Sequence, residues 1–114
     1  MRLSEVQQNF ALHISYLIIH INALDNRRYS CTFGDAYRDP RVHGELGYKE
    51  SYSSANSKHK QRLAVDLNLF KDGAYQGSTE AHRPFGDYWK ALHPDNVWGG
   101  DFKKQDGNHY ARNQ

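Results

Sequence analysis

The sequence predicts an α+β protein, a small antiparallel sheet flanked by helices. Three observations predict it. Apolar residues near the N-terminus recur at steps of three and four, residues 63–70 put a large aliphatic residue at every second position before a turn dipeptide, and short aromatic or β-branched runs alternate with Gly-, Pro- and Ser-rich text. A length of 114 residues is that of one domain, so the whole of 1–114 is expected to share one core. With 38% hydrophobic residues that core is thin, but 13% aromatics and a net charge of +2 exclude a disordered chain. A bound metal or a dense hydrogen-bond network would help a chain of this size more than a larger one.

The elements follow in order. Val6, Phe10, Ile14, Leu17, Ile18, Ile21 and Leu24 form one helical face, which predicts a helix over about 4–24 with Ser4 as its cap. A secretory signal is not expected there, because Glu5, Gln7, Gln8 and Asn9 spoil its start and His13 and His20 interrupt the apolar stretch. Tyr29–Tyr37 predicts a strand with Gly34 as a bend or bulge, and Asp39–Lys58 a long surface loop. Leu63, Val65, Leu67 and Leu69 share one face of the next strand, with Ala64, Asp66, Asn68 and Phe70 on the other. Lys71-Asp72-Gly73 then predicts a hairpin into Ala74-Tyr75-Gln76. A second helix is expected over Phe85–His93, stopped by Pro94, followed by strands at Trp98–Phe102 and Asn108–Ala111.

The same text excludes several classes. Cys31 is the only cysteine, which rules out an internal disulfide and any zinc site needing two thiolates. No apolar run is long enough to predict a membrane span. A charge of +2 is too small to predict a nucleic-acid partner. The seven histidines are the anomaly.

Chemistry concentrates in two places. His59 precedes a strand that carries Asp66 amid Leu63, Val65, Leu67 and Phe70. A carboxylate in such a run must face solvent, pair with a cation or bind a metal. Farther on, Asp106 stands three residues before His109, a spacing that can set an imidazole on a metal and a carboxylate beside the attacking water. His59, Asp66 and His109 form an N/N/O set suited to one zinc ion with an open fourth position, the arrangement of a catalytic site.

These residues carry a resemblance. SKHKQRLAVDL, from Ser57 through Leu67, resembles the Ser-x-His-(x)6-Asp signature of the zinc D-alanyl-D-alanine peptidases and L-alanyl-D-glutamate endopeptidases. WGGDF…DGNH, ending at His109, resembles that family's closing motif. The likeness covers about residues 29–111 and is nearest to small phage endolysins. It implies the hedgehog/D-Ala-D-Ala-peptidase fold and a zinc site made by His59, Asp66 and His109. It also implies that Asp106 is general base and acid, and that Arg38, in Ala-Tyr-Arg-Asp-Pro, stabilises the developing oxyanion. Ser57 is implied as a support of the site or a substrate contact. The implied partner is the peptidoglycan stem peptide, cut at L-alanyl-D-glutamate or, alternatively, at D-alanyl-D-alanine. The implied setting is synthesis in the bacterial cytoplasm, release to the wall by a separate protein, and action as a monomer. Arg62, where many members have glycine, and Ala111, where many have glutamate, depart from the pattern and bear on which bond is cut.

His43 in the long loop can reach substrate. Trp98 either walls the cleft or packs, and Asp101 either touches substrate, orients an imidazole or is solvated at a strand end. His13 and His20 read as boundary residues of the first helix, and His93 as a helix-end imidazole. Two rival classes are a His-metal nuclease, suggested by His109 through Asn113 but lacking the chain for its following helix, and a non-catalytic zinc-stabilised wall-binding module.

Overall fold

A computed structural model of the chain describes residues 2–34 and 58–114. Helix α1 spans Leu3–Ala23, β1 Tyr29–Phe33, β2 Ala64–Lys71, β3 Ala74–Gln76, α2 Thr79–Leu92, β4 Asn96–Trp98 and β5 His109–Arg112. The strands are antiparallel, in the order β1-β2-β5-β4, with β3 also pairing with β2. This is the α+β arrangement that the patterning predicts.

Alternation along β2 decides the layering. Leu63, Val65, Leu67 and Leu69 are buried against Val6, Phe10, Ile14, Leu17 and Ile21 of α1 and Phe85 and Trp89 of α2. Both helices therefore cover one face of the sheet. Trp89 fixes α2 to that face, its indole N–H shared between the carbonyls of Val97 (3.0 Å) and Ala111 (3.1 Å). The other face carries the even-numbered residues of β2 and, with them, the chemistry described below.

The β2–β3 hairpin turns on Asp72 and Gly73, both at positive φ (51° and 80°), as a two-residue type I′ connection demands. Arg28 grips its tip through Asp72, at 2.6 Å between Nη2 and Oδ2, so the hairpin is tied to the chain just ahead of β1.

Four boundaries differ from expectation. Helix α1 begins at Leu3, so Ser4 lies inside it; Arg2 takes the cap position and pairs with Glu5 at 2.9 Å. Helix α2 begins at Thr79 rather than Phe85, because the Ser78 hydroxyl accepts from the Ala81 N–H (3.1 Å) and starts the helix six residues earlier. Pro84 then sits inside the helix, where it lacks the donor for one backbone bond. The Trp98–Phe102 strand ends at Trp98, and Gly99–Asp101 form a 3-10 turn. Gly34 is no bulge in the ladder: its N–H donates to Asp66 O at 2.8 Å and continues the β1–β2 pairing. The expected strand beyond Gly34 and the expected 39–58 loop, Lys58 apart, lie outside the described residues. No helix among the described residues is long and apolar enough to cross a membrane.

Candidate metal centre

The centre is assembled by pairing rather than by sequence proximity. Asp66 and His109 are directly opposed partners in the β2–β5 ladder, so their side chains leave the same face of the sheet. His59 reaches that face from the turn before β2, which closes through Leu63 N–H to Lys58 O (2.8 Å) and is held to α1 by Gln7 Nε2 donating to Gln61 O (2.7 Å). Arg62 takes φ 57° there, a left-handed position that glycine accepts without strain.

His59 Nε2 lies 3.3 Å and His109 Nδ1 3.2 Å from the same Asp66 Oδ1. One donor atom from each residue falls within 4.8 Å of the others. A tetrahedral zinc with bonds of about 2.0–2.1 Å separates its ligand atoms by about 3.4 Å, so the Asp–His distances fit. His59 is buried, while Asp66 and His109 keep a narrow exposure, which suits a site closed behind and open in front. Burial pushes the Asp66 carboxyl up, but hydrogen bonds from His109 and His59 and their charge outweigh it and hold the group at about 2. Asp66 is thus an anionic donor throughout the neutral range. Strand alternation left its face open between solvent, cation and metal, and the two imidazoles close that choice against a solvated carboxylate.

Asp106 lies in the exposed turn leading into His109. Its N–H donates to Gly99 O (2.9 Å), and its carbonyl accepts from the His109 N–H (3.1 Å). A Cβ on Gly99 would collide with Asp106 O and come within 2.8 Å of His109 Cβ. Gly99 is therefore the residue that lets this turn fold against the β4 end. Phe102 flanks His109 at 5.6 Å between rings, a neighbour that sequence reasoning missed because Trp98–Phe102 read as a strand.

The remaining candidates separate. Trp98 packs rather than walls the cleft: it is fully buried, its Nε1 donates to Gly107 O at 2.7 Å, and a Cβ on Gly86 or Gly100 would strike its ring. Asp101 accepts from Lys90 Nζ at 2.7 Å, so its partner is an ammonium on α2 rather than an imidazole. Arg38, His43 and Ser57 lie outside the described residues. Behind the site, on the helix-covered face, the Tyr110 hydroxyl meets His82 Nδ1 at 2.9 Å. Burial lowers the His82 pKa and raises that of Tyr110, so the pair is neutral.

A family model described as D-alanyl-D-alanine carboxypeptidase matches residues 51–112, more than half of the chain and inclusive of His59, Asp66, Asp106 and His109. No curated protein matches. Two imidazoles and an ionised carboxylate, with donor atoms within 4.8 Å of one another, lie inside that matched segment. The chain belongs to the D-alanyl-D-alanine carboxypeptidase family and is a zinc metallopeptidase.

Proposed function

We propose that the chain is a single-domain, endolysin-like peptidoglycan peptidase that hydrolyses a bond of the stem peptide, L-alanyl-D-glutamate in first place. The observation that carries the reading is the convergence of His59, Asp66 and His109 on one point of the sheet face, within the segment the family model covers. These three residues would hold zinc. When bound, zinc supplies Lewis acidity, which lowers the pKa of its water towards about 7 and polarises the scissile carbonyl.

The chain's own groups do the rest. Asp66, ionised, offsets part of the charge of the cation that the two imidazoles hold. Asp106 takes the proton of the attacking water and returns it to the departing nitrogen. Arg38 meets the negative charge that grows on the carbonyl oxygen in the transition state. Ser57 and His43 contact substrate. The setting that fits is synthesis in a phage-infected cell, followed by action at the wall after release by another protein.

A second reading, D-alanyl-D-alanine carboxypeptidase, is favoured by the description of the matching family. Mass spectrometry of purified peptidoglycan fragments, with and without chelator, tests both. Chelator-sensitive release is expected, and the fragment masses name the bond. No cleavage by protein carrying one equivalent of zinc would leave the wall-binding module instead.

A further inference from the structure

Beyond Asp66, the even-numbered face of β2 continues with Asn68 and Phe70. The β1 residues alongside are small: Gly34 bonds to Asp66, Thr32 pairs with Asn68 and Ser30 with Phe70. Among the described residues the face is thus a shelf, low along the edge strand β1 and studded along β2. Asn68 Nδ2 donates to Thr32 Oγ1 at 3.3 Å, which leaves the Asn68 carbonyl oxygen and the Thr32 hydroxyl hydrogen to bind elsewhere. One rung farther, Phe70 meets Tyr75 of β3 edge-on, with 5.8 Å between rings. Tyr75 remains 61% exposed. A cross-strand aromatic pair stabilises a hairpin, but that role does not require so much of the ring to face water.

At about 3.3 Å per residue, the polar rung lies about 7 Å from Asp66 along the strand and the aromatic rung about 13 Å. An extended peptide advances at nearly the same pitch. Resting on the peptidase reading above, we propose that this shelf is an extended-substrate subsite. The Asn68–Thr32 rung hydrogen-bonds the stem near the scissile bond, and the Phe70–Tyr75 rung seats the unit about four positions away. The continuity of the face with Asp66 carries the assignment. The enzyme then reads the length of its substrate, preferring chains that reach the aromatic rung.

The test compares two substrates of zinc-loaded enzyme, an intact disaccharide pentapeptide and a peptide trimmed to one residue on each side of the bond cut. Tyr75→Ala is the first variant, since its ring is exposed; Phe70→Leu is the second. Melting temperature and zinc content are recorded for each. The expected result is a loss of about tenfold in kcat/KM on the long substrate, mainly through KM, with the short one unchanged. An equal loss on both substrates, or none on the long one, overturns the subsite while leaving the peptidase standing. Failure of the wild type to cut either substrate overturns the peptidase reading and the subsite together.

Discussion

Two pairs of imidazoles lie on opposite faces of the sheet, and only one of them is built for a metal. His59 and His109 stand 5.1 Å apart, ring to ring, with the Asp66 carboxylate between them. His13 and His93 stand 5.9 Å apart, but the buried group beside them is the Arg112 guanidinium, whose Nη2 is 3.2 Å from His93 Nε2 and whose Nη1 donates to Asn9 Oδ1 at 2.6 Å. Asp95 approaches that pair only at 4.0 Å, at the Nδ1 side of His93. Burial, Arg112 and His93 all lower the His13 pKa, so this cluster excludes added positive charge. The contrast teaches that paired histidines become a cation site through the sign of the buried group between them. Imidazole count and spacing are nearly the same in both.

The largest effects should therefore separate the two clusters. His59→Ala or His109→Ala is expected to abolish stoichiometric zinc and to cut turnover by at least about a thousandfold, read by metal analysis and peptidoglycan release. His93→Ala should leave zinc content at the wild-type value. If His93→Ala lost zinc as the others do, the carboxylate would not be the deciding feature. Asp106→Asn comes next: turnover falls by about a hundredfold or more while zinc content is kept, because the amide cannot take the water's proton. Loss of zinc in this variant would make Asp106 a ligand instead.

The same contrast marks where sequence reasoning stops. The odd face of β2 and the seam of α1 follow from alternation and three–four spacing, because burial of apolar side chains is set by local periodicity. Asp66 and His109 were both identified, yet their meeting depends on β2–β5 pairing across 43 positions, which periodicity does not encode. The family motifs supplied that link. His13 and His93 were read separately, since nothing in either local stretch points to Arg112 at the end of β5. The sequence places the start of the second helix at Phe85, but the Ser78 cap, worth about 1 kcal/mol, begins it at Thr79. Trp98 through Phe102 looked extended until Gly99 allowed the chain to fold back beneath Asp106.

Acid should dismantle the two clusters at different pH. For His13 the folded pKa lies below 6.5, so the unfolded chain binds more protons between the two values. Its contribution is complete above about 6.5 and is lost as pH falls through the lowered folded value. His82 follows the same sign. Asp66 contributes above its unfolded value of 3.8 and loses that contribution as pH falls towards about 2, a loss of about 2 kcal/mol in all. Melting of chelator-treated protein should thus weaken first below about pH 6.5 and again below about pH 4. Asp66→Asn should remove the second step alone. A single step at pH 4 in the wild type would mean that His13 and His82 are not buried as neutral rings.

The smallest expected effect tests the edge of the metal centre. Asp101 is only five residues before Asp106 and eight before His109, so proximity in sequence would place it in the chemistry. Its carboxylate instead accepts from Lys90 on α2, and about half of that side chain is exposed. An exposed ion pair of this kind contributes about 0–1 kcal/mol and is screened by salt. Asp101→Asn should therefore leave zinc content unchanged, turnover within about twofold and the melting temperature within a few degrees. Matched measurements on Asp106→Asn supply the scale. Two aspartates in one turn should differ by about two orders of magnitude in their effect on rate, because one precedes His109 by a hydrogen-bonded turn and the other faces a lysine. A comparable loss from both would mean that the whole Gly99–His109 turn acts as a unit, and that its acidic residues hold its shape rather than move a proton.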